Sequence, residues 1–141
     1  MNIKFYDNLL SADDYLFIHQ AMNYDLEPRE QIEQALSRSI RTVTAKDGDK
    51  IVGMGRLVGD GLMYCYIQDV RVLPYYQNKG IGKAIINRMI EYARQNGLPN
   101  TVITIGLSSA KGAERFYENL GFIKQPCHDM GHGMYIDMEI D

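Results

Sequence analysis

Between Tyr66 and Gly97 the chain reads YIQDVRVLPYYQNKGIGKAIINRMIEYARQNG, an apolar strand, a proline turn, a short glycine loop and a long amphipathic helix joined without a spacer. From Ile81 the apolar residues recur at Ala84, Ile85, Met89, Ile90 and Ala93, with Lys83, Asn87, Arg88, Glu91 and Arg94 between them, the period of a helix that buries one face. Gly97 stands where a C-cap is expected. A strand that turns directly into a helix leaves the first helical N–H groups without carbonyl partners. With the positive end of the helix dipole, those donors form a seat for an anion, phosphate above all. Gly80 and Gly82 matter because a Cβ there would hold the anion away from the amides. Lys79 and Lys83 add positive charge on the same rim.

A glycine turn has several chemical meanings. A dinucleotide fingerprint needs a third glycine and an acidic residue about 20 positions on, and a triphosphate loop needs Gly-Lys-Ser/Thr. Neither is present, since Gly82-Lys83 is followed by Ala84. The pattern that fits is Q/R-x-x-G-x-G/A, filled by Gln77, Asn78, Lys79, Gly80, Ile81 and Gly82 directly after the strand Asp69-Val70-Arg71-Val72-Leu73-Pro74. Here the chain resembles the GNAT superfamily of acetyl-coenzyme A dependent N-acetyltransferases; on the hexapeptide alone, a helix start with a flexible glycine loop is an equal reading. A second motif, Ala113-Glu114-Arg115-Phe116-Tyr117-Glu118-Asn119-Leu120-Gly121-Phe122, is similar to the family's A-x-x-F-Y-x-x-x-G-F signature. The two motifs together, with a strand between them, carry the resemblance over nearly the whole chain.

With 141 residues, 45% hydrophobic and 23% charged, the expectation is one globular domain, residues 1–141, that buries its own core. A net charge of -3 and a pI near 5.6 provide no overall basic field, which argues against a nucleic-acid partner. MNIKFYDNLL lacks an apolar run of signal length and no stretch has the length of a membrane span, so a cytoplasmic monomer or homodimer is expected. Cys65 and Cys127 are too far apart for a zinc or redox pair and read as reduced thiols.

Asn2 to Tyr6 reads as a first strand; Ser11 caps a helix whose inner face is Tyr15, Ile18 and Met22, and Pro28 opens a second with Ile32, Ala35 and Leu36 inward. Turn signals at Lys46-Asp47-Gly48-Asp49 and Gly59-Asp60-Gly61 divide residues 40–73 into a strand meander. Thr101 to Leu107 (TVITIGL) reads as a buried strand parallel to the one before the long helix. Ser108 or Ser109 is expected to cap a last helix ending at Gly121, and Phe122 to Ile140 to form a closing hairpin. The fold expected is α/β of the α+β kind: a GNAT-like mixed, mostly antiparallel sheet with a central parallel βαβ splay and flanking helices.

Moving an acetyl group from a thioester to an amine needs a neutral amine, a seat for the oxyanion and a proton for the departing thiolate. Tyr117 is the candidate acid, since a phenol of ordinary pKa about 10 is protonated at neutral pH. The resemblance implies that this tyrosine stands beside the thioester sulfur; packing is the competing reading, with Phe116 as core or cofactor-cleft contrast. Asp69, polar in an apolar strand, is the candidate base or amine-orienting group, or else the partner of a nearby Lys or Arg. Ile67-Gln68-Asp69-Val70 is similar to the strand of the glucosamine phosphate acetyltransferases, with Gln68 in place of their first acid. The resemblance further implies that Val70, Arg71 and Val72 hold the pantetheine arm with their main chain and that residues 77–83 hold the diphosphate. Ser108 and Ser109 stand where an asparagine often contacts the coenzyme.

His128, Asp129 and His132 lie among glycines rather than on a helix, so a substrate-side loop is favoured over a metal site and no metal is expected. His19 reads as a surface or interface residue. The function expected is acetyl transfer to the primary amine of a small molecule, met by loop 23–28, strand 64–69 and segment 125–135, with Asp25, Glu27 and Asp129 making the mouth acidic. The alternatives are a coenzyme A binding or sensing module without efficient turnover, and acetylation of a peptide amine.

Overall fold

Turn chemistry fixes the order of the sheet. Gly48, at φ 59°, and Asp49 alone link β2 (Arg41–Asp47) to β3 (Lys50–Gly59) as an antiparallel pair. The next link is organised by Asp60, whose carboxylate accepts the N–H groups of Leu62, Met63 and Tyr64 at 2.8, 2.8 and 3.0 Å and opens β4 (Tyr64–Val72). Those backbone bonds, that of Leu62 foremost, hold the Asp60 carboxyl below the ordinary carboxylate range. At Gly59 (φ 129°) a Cβ would collide with the carbonyl oxygen of Tyr64, so only glycine permits the chain to close there.

The computed structural model describes residues 1–141. Its chain divides into two units, Met1–Leu107 and Ser108–Asp141. The first holds one five-stranded sheet in the order β1 (Ile3–Asp7), β2, β3, β4, β5 (Thr104–Leu107). The first four strands pair antiparallel; β5 lies parallel to β4, from Tyr64↔Thr104 to Ile67↔Leu107. The crossover between them contains α3 (Ile81–Asn96), with Ile81, Ile85, Ile86, Met89 and Ala93 buried. Beneath α3 the strand is bare by necessity: a Cβ on Gly55 would stand 2.8 Å from Ile85 Cγ2, and one on Gly53 3.2 Å from Ile85 Cδ1. No helix is long and apolar enough to cross a membrane.

The other face carries α1 (Ala12–Ala21) and α2 (Arg29–Ser37). Ser11 Oγ accepts the N–H of Asp14 at 3.1 Å, the expected cap, and Tyr15, Ile18 and His19 are buried. Pro28 takes the cap position of α2 rather than its first turn.

Three expectations fail. β5 begins at Thr104, not Thr101, and is an edge strand with Val102 86% exposed; the Leu98–Asn100 turn continues into Thr101, whose hydroxyl donates to the Leu98 carbonyl. In the second unit, α4 (Glu114–Asn119) starts well after Ser108 and Ser109. Gly112, at φ 93°, interrupts the chain between them, and the Glu114 carboxylate accepts its N–H. Gly121 (φ 101°) does end this helix as expected. The closing hairpin is absent: only an isolated bridge pairs Cys127 with Met130. Met134, Ile136, Met138 and Ile140 alternate as a strand would and are exposed, since a strand exists only where a neighbour completes its ladder.

Candidate active site

After β4, Pro74–Tyr76 make one turn of 3-10 helix, pinned by the Tyr76 hydroxyl donating to Asp47 Oδ2 at 2.8 Å. That bond, with burial, pushes the Tyr76 phenol above its ordinary range. Gln77 Nε2 turns back to the Val72 carbonyl at 2.9 Å, so this side chain fastens the end of β4. Asn78 (φ 61°) and Gly80 (φ 84°) both take the left-handed region, and Gly80 is the helix cap with no side chain capping it. Ala84 N–H is bonded to the Gly80 carbonyl at 3.0 Å; the N–H groups of Ile81, Gly82 and Lys83 precede that ladder. Residues 77–80 are exposed, Ile81 anchors its side chain in the core, and Lys79 Nζ lies 5.6 Å over the Tyr75 ring. The geometry is that of an open anion seat.

The second feature is a bulge in β4. Met54 pairs with Arg71 and Arg56 with Gln68, so Gly55 alone faces both Asp69 and Val70, and Asp69 sits at φ 57°. The bulge reverses which residues point where. Cys65 lies beside Tyr92 and Ala93 on the α3 side, and burial pushes its thiol pKa up. Five residues later Val70 also faces that side, against the space above Gly55. Strict alternation forbids this, and the bulge therefore turns Asp69 to the α1 side, where it is 8% exposed.

There Arg56 Nε donates to Asp69 Oδ2 at 2.6 Å, and the Tyr15 phenol lies within reach of that carboxylate's charge. Burial raises the Tyr15 phenol far above its usual value, with Asp69 and Glu27 adding to it. Asp69 is thus the partner of an arginine, as one of its expected readings has it. Beyond Ile67, β4 has no β5 partner, so Gln68 to Val72 border an unpaired edge; this is the splay expected. Arg71 lies in this stretch, Nη1 donating to the Val70 carbonyl at 3.0 Å and its guanidinium 4.3 Å over the Tyr24 ring.

His19, expected at the surface, is 4% exposed. It stacks on Tyr15 at 4.2 Å and Tyr24 at 5.4 Å, because its helical position one turn after Tyr15 carries it to the same inner face. Tyr15, His19, Tyr24, Glu27 and Arg56 were not legible as a group in the sequence. The one signal was Arg56, the charge inside the otherwise apolar run IVGMGRLVG of β3.

In the second unit, Tyr117 is half-buried, its ring edge-on to Phe116 at 5.1 Å and to Phe122 at 5.9 Å. Phe116 is 40% exposed, so of its two expected places, core or cofactor cleft, the core is excluded, α4 having no buried residue. Ser108 is exposed and Ser109 Oγ donates to the Ala110 carbonyl at 2.8 Å.

The sequence profile of the acetyltransferase (GNAT) family matches residues 5–122. An uncharacterized N-acetyltransferase of Pyropia yezoensis is 30% identical over 134 residues, 88% of this chain and 75% of its own length. A histone acetyltransferase of Glycine max is 35% identical over 91 residues, 62% of this chain and 38% of its own length. Among solved structures, a GNAT family acetyltransferase from Streptococcus pneumoniae superposes with a TM-score of 0.81 at 30% identity, covering 98% of this chain and 100% of that one.

Proposed function

The chain belongs to the acetyltransferase (GNAT) family, whose members take acetyl-coenzyme A as cosubstrate, and on that premise we propose that its acceptor is the primary amine of a small molecule. The observation that carries the coenzyme part of the reading is the exposed turn 77–80, which leads from β4 into three unladdered N–H groups at the start of α3. Residues 77–83 fit a diphosphate: Gly80 keeps its left-handed cap and Lys79 and Lys83 offset the charge. The main chain of Val70, Arg71 and Val72 would take the pantetheine arm along that edge. When bound, the coenzyme supplies an acetyl thioester, which is open to attack by a neutral amine.

On the motif alone, Tyr117 is assigned as general acid, its hydroxyl giving the thiolate a proton. Asp69 is assigned as an orienting group, since its carboxylate already receives the Arg56 guanidinium; the amine loses its proton to water or to a neighbouring carboxylate. Ser108 and Phe116 are assigned to the coenzyme by motif alone. Cys65 and Cys127 are free thiols, which supports a cytoplasmic setting.

A second reading has a specific observation behind it. The Glycine max relative is named for histones, so a lysine side chain belongs among the acceptors tested. Free thiol released from acetyl-coenzyme A with a panel of alkylamines, amino sugars and a lysine peptide tests both. Release with any of these supports transfer; silence with tight coenzyme binding would favour a sensing module. Tyr117→Phe should slow turnover about 10- to 100-fold with coenzyme affinity unchanged, and an undiminished rate removes Tyr117 from the mechanism.

A further inference from the structure

A cleft of about 110 Å³ opens between α1 and α2, with Tyr15, Glu27, Gln31 and Arg56 on its polar side and Ile32 and Leu36 on its apolar side. Arg56 is already neutralised by Asp69, so Glu27 is the lining charge that no guanidinium or ammonium meets. Behind Glu27 stands His19, buried, with neither ring nitrogen hydrogen-bonded. Buried imidazole nitrogens are ordinarily bonded. Its Nδ1 lies 3.7 Å from Glu27 Oε2, beyond a hydrogen bond and within reach of one. The loop carrying Glu27 is tied to β4 by stacked rings, His19 on Tyr24 and Tyr24 under the Arg71 guanidinium.

We propose that Glu27, positioned by His19, binds the acceptor as its ammonium, and that the acceptor is an alkylamine, free or carried as a lysine side chain, rather than an amino sugar. The inference rests on the acetyl-transfer reading of this site. Once the 3.7 Å gap closes on binding, an N–H at His19 Nδ1 takes one carboxylate oxygen and leaves the other for the cation. The apolar wall of Ile32 and Leu36 receives carbon chain and offers a polyol nothing to bond. Because the contact is made on entry, it acts on substrate affinity more than on the chemical step.

The test follows the His19 ring by NMR. The chain has three histidines, so H19Q identifies the signal. In wild type, n-butylammonium should move the His19 resonances and n-butanol should not, with the movement lost in E27Q; a lysine peptide as a second arm separates the two sources. In turnover, E27Q should raise the KM of butylamine or the peptide roughly tenfold, with kcat and the KM of acetyl-coenzyme A little changed. H19Q, which keeps a polar group, should retain more of that affinity than H19F. Should H19F fail to fold, E27Q carries the test, since Glu27 is 44% exposed. Equal shifts in E27Q, equal shifts with butanol, no shift with either amine, or an unchanged KM would overturn the proposal. Thiol release indifferent to E27Q sinks this inference and leaves acetyl transfer standing. A Glu27-dependent shift without thiol release does the reverse.

Discussion

The proposed anion seat at residues 77–83 and the polar cluster at the β4 bulge solve opposite problems. The first is main chain, exposed, and needs side chains to be absent. The second is side chain, buried, and needs Asp69 and Arg56 to be present together. A main-chain site tolerates most changes that spare its glycines, whereas a buried ion pair fails when either member is lost.

Gly82→Val is the largest expected break in this contrast. It should weaken coenzyme binding by about 100-fold or more, near 2.7 kcal/mol, with the melting temperature nearly kept; calorimetric titration measures it, and retained binding would move the seat elsewhere. Arg56→Met should do the converse, leaving Asp69 buried without its cation. A loss of about 3 kcal/mol in denaturant unfolding is expected, and the Arg56→Met, Asp69→Leu double variant should recover part of it. An unchanged stability for Arg56→Met would mean that Asp69 finds another partner.

This contrast also decides what can be read from the chain. Gly80 and Gly82 stand two residues apart where the loop becomes α3, so the feature lies in one short stretch, and the second motif at Ala113–Phe122 settles which of its meanings to expect. The cluster draws single residues from α1, β3 and β4, and the bulge that joins them is marked by no glycine or proline in β4. Alternation therefore predicts the wrong face for Asp69. The sheet, α1 to α3 and the parallel pair were legible because each has a periodic apolar face or a turn residue. The last strands were not, because Met134 to Ile140 has the pattern of a strand without a neighbour to complete it.

The smallest effect sharpens the comparison at a third carboxylate. Asp60, exposed and bonded to three amides, has its folded pKa depressed, so its contribution is present above the unfolded value of about 3.9 and is lost as pH falls through the folded one. Asp60→Asn should lower the melting temperature slightly at neutral pH and flatten its decline below about pH 4; an identical acid limb would leave those amide bonds without weight.

Gly59 has a consequence for how this gene can drift. By clamping the chain where β3 hands over to β4, it counts off the residues that lead to the bulge. Inserted codons in the loop after Gly59 can be absorbed as slack, but a single codon added between Tyr64 and Gln68 would put a neighbour where Asp69 now stands. The reading frame would be untouched, yet the arginine of the facing strand would meet the uncharged amide of Gln68 instead of its counter-charge.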